Sequence, residues 1–296
     1  MSRQNGYGTT EASVPSNVAG ADEEQPLLLN GRPKALAGSL RRKLNVDISR
    51  DWADVVLVLC YLITGLLDSA SISIWGSFVS MQTGMATAPK PSWHAVLAYT
   101  NNTCVGNTVY IGLGLAAPTQ STRWIKSGTS LGCFCIGSFV FSRFHRYFSP
   151  KRRWVLCASF AFQFTLIVIA AALVTWGPPS VSGGDEIGWN VLVPIALVAF
   201  QSCGQAVASR ALKYNALTSV VLTSIYCDLF SDADLFKWDN AERNRRVAAP
   251  VLLLIGAIFG GLFAHSSMGI AGALWVAAVL KLFAVIAWFF WPEKTD

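Results

Sequence analysis

The sequence predicts an all-α fold: a polytopic transmembrane helical bundle of about six spanning helices plus two short broken or re-entrant segments. Three observations carry this expectation. The 296 residues are 53% hydrophobic and only 14% charged, with a mean hydropathy of +0.44, which is too apolar for an ordinary soluble domain. The apolar residues come in blocks of about 20, the length of helix that crosses roughly 30 Å of hydrocarbon. The lysines and arginines cluster beside those blocks, so the formal charge of +6 reads as membrane topology rather than as a nucleic-acid surface.

Residues 1–50 are polar, with no apolar h-region, and are expected to form a disordered tail with no signal peptide. Within them Asp22, Glu23, Glu24, Gln25, Pro26, Leu27, Leu28 and Leu29 have the form of an acidic dileucine signal, which offers a carboxylate and two leucines to a sorting adaptor. Lys34, Arg41, Arg42, Lys43 and Arg50 precede the first apolar block and place the tail on the cytoplasmic side.

A transmembrane domain over 51–292 follows. Its long apolar blocks run over about 53–75, 124–142, 154–176, 189–209, 248–265 and 269–291, each able to span as a helix that satisfies its own backbone. Two shorter apolar stretches, one flanking Gln82 and Asn107 and one at 215–230, are spotted with Thr, Ser and Asn. If both crossed fully, there would be eight spans, and the loop holding Arg143, Arg146, Lys151, Arg152 and Arg153 would face outside. The positive-inside rule favours six spans with both termini inside. Each half then contains one spanning helix, one short polar-spotted segment and two more spanning helices. Three crossings per half turn the second half upside down, the inverted-repeat plan of many transporters.

The block 85–106 interrupts this pattern. Removing its 22 residues joins Gly84 to Asn107 and restores an unbroken FVSMQTGNTVYIGLGLA. Pro89, Lys90, Pro91, His94 and Asn101-Asn102-Thr103 are unwelcome in hydrocarbon. The block preserves reading frame, and its codons admit a donor at Gly84-Met85, a branch string at Thr100-Asn101 and an acceptor at Val105-Gly106, so translated intron is the expectation. The competing reading is a true extramembrane loop, with a glycosylation sequon at Asn101.

TGLLDSASISIWGSFVSMQTG, with NTVYIGLGLA, resembles the signature of the YoaK-like membrane proteins, the domain-of-unknown-function family 1275. The matching positions are Gly65, Asp68, Thr83, Gly84, Asn107 and Thr108, and AFQSCGQAVASRALKYNALTSVVLTSIYCDL is similar to a fungal version of the second half. The resemblance extends over about 50–291. It implies an integral membrane protein of several helices and imports no activity.

Site candidates are the polar groups inside apolar blocks. Asp68 lies well within the first block, where an unpaired carboxylate costs several kcal/mol. Lys281, in the last block, either neutralises Asp68 or snorkels to the surface. Gln82, Thr83 and Asn107 offer amide and hydroxyl groups at a backbone break, able to bind a small polar solute or ion. Gln201, Gln205, Thr223 and Asp228 play that part in the second half. The bland alternatives are local capping by Asp68, turn closure at Gly84 and Asn107, and interhelical bonding by the glutamines. Seven cysteines without paired spacing and three scattered histidines indicate no metal site, and no cofactor or catalytic motif is present. Gly128/Gly132 and Gly256/Gly260 are small-residue spacings that permit close helix approach. The functional expectation is a transporter-like protein for a small solute or ion, in a vacuolar, endosomal or plasma membrane. The alternative is a non-transporting scaffold or an intramembrane enzyme.

Overall fold

Long apolar stretches with few helix breakers become helices in a medium that leaves no other way to satisfy the backbone. The computed structural model describes residues 43–49, 53–82, 106–116, 123–149, 151–178, 187–212, 222–231 and 240–292, all within the compact unit Arg41–Asp296. Among the described residues there are eight helices: α1 Ala53–Trp75, α2 Asn107–Ala116, α3 Arg123–Phe148, α4 Arg153–Trp176, α5 Trp189–Ala211, α6 Leu222–Phe230, α7 Ala241–Ala264 and α8 Gly269–Phe290. The tail expected at 1–50, with Leu27 and Leu28, lies almost wholly outside the described residues, as does the block 85–106.

Five helices, α1, α4, α5, α7 and α8, are both long and apolar enough to cross a membrane. The sixth expected span, α3, has the length, since 26 residues rise about 39 Å. Its Lys126, Ser127, Ser130, Arg143, His145 and Arg146 make it less apolar than the others. The short helices α2 and α6 have 10 and 9 residues, about 15 and 14 Å, half the hydrocarbon thickness.

Contacts at the helix ends fix their relative directions. At one end the Arg153 guanidinium, at the start of α4, donates to the Lys43 carbonyl ahead of α1 and to the Trp291 carbonyl just past α8. Asp54, in the first turn of α1, pairs at 2.6 Å with Arg245, in the first turns of α7. At the other end Gly76, just past α1, lies against the Arg123 side chain that opens α3. There too Trp275 of α8 donates its indole N–H to Thr175 at the end of α4. The six long helices therefore alternate in direction.

The packing repeats itself. Exchanging α1–α4 for α5–α8 carries α1 on α7 into α5 on α3, α4 on α5 into α8 on α1, α2 on α3 into α6 on α7, and α7 on α8 into α3 on α4. The pairs α4 with α8 and α1 with α5 map onto themselves, so every substantial helix contact has its counterpart. The largest core cluster comes from α1, α4, α5 and α8, through Ile63, Leu66, Ile167, Ile195, Val198 and Leu274. On α7, Leu254, Ile258, Phe259 and Leu262 point outward, the lipid-facing surface expected of a spanning helix.

Glycine sets both equivalent crossings. A Cβ on Gly65 of α1 would collide with the Leu253 carbonyl of α7, and one on Gly256 with the Leu62 carbonyl of α1. On the paired crossing, Gly137 of α3 lies against the Phe200 carbonyl and Cys203 of α5. Gly128 and Gly132 face open space. Gly65→Ala is therefore expected to cost about 1–3 kcal/mol, read as a lower unfolding midpoint in detergent, while Gly132→Ala leaves the midpoint unchanged.

The cations at the Arg153 end give an expected orientation in the bilayer. Cysteine introduced at Ser149, an exposed residue just past α3, is expected to react with an impermeant reagent only from the cytoplasmic side. Labelling only from outside would reverse the orientation.

Candidate functional site

Helix α1 stops because Gly76 takes φ +73°, a conformation cheap only for glycine. The chain then folds back along α1 as the non-helical segment 76–82. Broken backbone inside a bundle leaves amides that water cannot reach. Asp68 supplies the missing acceptors. Its carboxylate takes the N–H groups of Val79 at 3.0 Å, Ser80 at 2.8 Å and Met81 at 3.1 Å, together with the Ser80 hydroxyl. Asp68 is only 4% exposed, so its charge is balanced by a nest of peptide dipoles rather than by a cation.

A second clamp holds the same segment from its other side. Asn107, fully buried at the start of α2, donates through Nδ2 to the Phe78 carbonyl at 2.7 Å and to Gln82 Oε1 at 2.8 Å. Its Oδ1 accepts from the Phe78 N–H at 3.2 Å and from the hydroxyls of Ser77 and Ser127, each at 3.1 Å. Ser130 of α3 donates to the Phe78 carbonyl at 2.7 Å, and Ser202 of α5 to the Val79 carbonyl at 3.1 Å. The Gln82 carbonyl accepts both the N–H and the hydroxyl of Thr108. Gln82 and Asn107, on either side of the block 85–106, thus lie within hydrogen-bond reach of each other.

Deeper in the bundle lies a separate polar cluster. The Lys281 ammonium on α8, with 0% exposure, donates to Gln205 Oε1 at 2.9 Å and sits 5.0 Å from the centre of the Phe160 ring. Gln205 Nε2 donates to the Thr64 hydroxyl at 2.6 Å, and Thr64 to the Cys60 carbonyl at 2.9 Å. Among the described residues no carboxylate stands within ion-pair distance of Lys281. Gln201 lies one turn before Gln205 on the same face of α5, and its buried Oε1 has no partner. On α4, Gln163 receives no bond at its buried Oε1 and packs where a Cβ on Gly204 would otherwise be.

The sequence candidates fall into three groups. Asp68, Gln82 and Asn107 are brought together around segment 76–82, and Gln201 and Gln205 line α5. Thr83 and the side chain of Thr223 lie outside what is described. Asp228 is not brought to the others: it is exposed on α6, where its carbonyl accepts from Arg246 at 3.4 Å. Lys281 neither neutralises Asp68 nor snorkels, because Gln205 and Phe160 hold it inside. Thr64, Ser127, Ser130, Gln163 and Ser202 were missed. Their signal was present as hydroxyls and amides at helical spacing within apolar blocks, a pattern shared with ordinary packing. Among the described residues no three His, Cys, Asp or Glu side chains group as metal ligands.

The family model described as a protein of unknown function (DUF1275) matches residues 94–287, more than half of the chain. The chain belongs to this family. The match begins at His94, inside the block 85–106, and does not include α1 with Asp68, so it is shorter at its start than the resemblance over 50–291. No curated protein and no solved structure matches the chain. Family membership and the five long apolar helices make it an integral multi-pass membrane protein of DUF1275.

The two clamps predict a contrast. Asp68→Ala and Asn107→Ala each strand several buried groups at about 1–3 kcal/mol apiece and are expected to lower the unfolding midpoint in detergent markedly. Asp228→Asn, at an exposed position, leaves it unchanged.

Proposed function

We propose that this DUF1275 protein moves a small polar solute or ion across the membrane, at a site between its two halves lined by Gln201, Gln205 and Lys281 and bordered by segment 76–82. The observation that carries this reading is the Lys281 ammonium, buried at the middle of a spanning helix with only neutral partners. On insertion scales such a cation costs about 2.5–3.5 kcal/mol, and a bundle built only for stability replaces it with an apolar side chain at no loss. The partnerless Gln201 oxygen, one turn along α5 from the Gln205 that holds this donor, offers an acceptor on the same helix face. A solute with an acceptor for Lys281 and a donor for Gln201 satisfies both. The alternating helix directions and the exchange symmetry of the packing support the reading, since transporters of this plan bind where their repeats meet.

In this reading Asp68, Gln82 and Asn107 hold the broken segment in place, and their effect on binding is indirect. The rival reading is a membrane scaffold. It is favoured by the saturation of the Asp68 and Asn107 networks, which resembles a dry core more than a vacant site.

Purified protein screened for thermal shift and proteoliposome uptake over small acids, amines, amino acids and polyols separates the two. The transporter reading expects a shift and uptake with one class, both lost in Lys281→Met while the unliganded variant stays folded with an equal or higher midpoint. A screen with no shift or uptake for any class, together with a stabilised Lys281→Met, would leave the scaffold.

A further inference from the structure

We infer that the groove between α3 and α5, at the end of the bundle that carries Arg153, is a binding site for an anionic phospholipid. The groove has a volume of about 430 Å³ and is lined by Ser138, Ser142, His145 and Arg146 of α3 and by Val207 and Arg210 of α5. It continues into a second hollow of about 410 Å³ on the outer face of α3, where Phe134 and Phe139 join Arg143 and Arg146. Three arginines, with Ser138 and Ser142, thus line the two connected hollows together with the rings of Phe134 and Phe139. No carboxylate lines either part.

Among the described residues no carboxylate neutralises these cations: Arg143, Arg146 and Arg210 form no ion pair. All three are exposed, and Arg143 lies only 5.2 Å from the centre of the Phe139 ring. His145 is 2% exposed. Its Nε2 meets the Ser159 hydroxyl at 3.3 Å, while its Nδ1 is buried and has no partner. When Ser159 donates to Nε2, the ring carries its proton on Nδ1, a buried donor with no partner on a residue that lines the groove.

Guanidinium forks match the oxygens of a phosphate. The position selects a lipid over a free phosphate. Arg143 and Arg146 lie in the last turns of the long helix α3 and Arg210 in the last turn of the spanning helix α5 that packs on it, the depth expected of headgroups. Ile136, Phe139 and Val140, just inside them on α3, are exposed, so an acyl chain hanging from the bound phosphate runs along apolar surface. Basic pockets between spanning helices on the cytoplasmic side are where acidic headgroups are held. The site is independent of the proposed transport site.

The test uses the full chain in detergent or nanodiscs, with native mass spectrometry reading retained lipid. Phosphatidylinositol phosphate, phosphatidylserine and phosphatidylcholine are the probes, and inorganic phosphate is the competitor. The wild type is expected to retain the acidic lipids over phosphatidylcholine, and millimolar phosphate is expected not to displace them. Arg143→Gln, Arg146→Gln and Arg210→Gln each weaken retention about fivefold, the factor that roughly 1 kcal/mol per basic residue corresponds to. His145→Phe reduces it without changing the overall charge. These positions are exposed or bonded to a single hydroxyl, and the unfolding midpoint of each variant reports that it is folded. Equal retention of acidic lipid and phosphatidylcholine overturns the inference. So does displacement by inorganic phosphate alone, or a folded triple arginine variant that holds acidic lipid as well as the wild type does.

Discussion

The structure depends on one carboxylate taking the place of water. A chain that breaks its helix within a membrane leaves amide groups with no solvent to receive them, and Asp68 receives three of them and a hydroxyl at once. Without that acceptor the amides of Val79, Ser80 and Met81 lose the partner that holds this side of the segment 76–82. A charge that is unfavourable alone in hydrocarbon becomes the organising element of a loop because peptide dipoles surround it. Asn107 completes the arrangement by tying Phe78 and Gln82 to α3 through Ser127 and Ser130.

The same segment connects the two halves. Ser202 of α5 bonds the Val79 carbonyl. On α5 Gln201 immediately precedes Ser202 and Gln205 follows about one turn later, the second of these glutamines holding Lys281 and Thr64. The anionic clamp and the buried cation are thus neighbours along α5 without being partners. One stabilises a break in the fold through complete satisfaction of its hydrogen bonds. The other retains donor capacity beside an acceptor that nothing fills, which makes it the better place to look for a ligand.

The long helices were legible because length and apolarity suffice to specify a span, and the blocks at 53–75, 154–176, 189–209 and 269–291 differ from α1, α4, α5 and α8 by at most two residues at either end. Helix α7 starts earlier than its apolar block because Asn240 caps a polar first turn, accepting the Arg243 N–H at 3.0 Å. Helix α3 likewise runs past its block to Phe148, through cations at the membrane boundary. Partnerships within the site were not legible. Asp68 and Lys281 invite pairing on charge alone, and only the folded chain shows that a backbone nest satisfies one and a glutamine the other. Asp228 was indistinguishable from Asp68 by type and context, yet it lies on an exposed face, because a nine-residue helix can turn its polar side outward where a full span cannot.

The central claim, that Asp68 holds the broken segment inside the membrane, is tested most directly by amide hydrogen exchange of the protein in nanodiscs. The account predicts that Val79, Ser80 and Met81 exchange as slowly as amides in the middle of α1, and that Asp68→Ala accelerates these three while leaving α4 and α8 protected. Fast exchange of all three in the wild type, comparable to that of the loop residues 187 and 188, would contradict it.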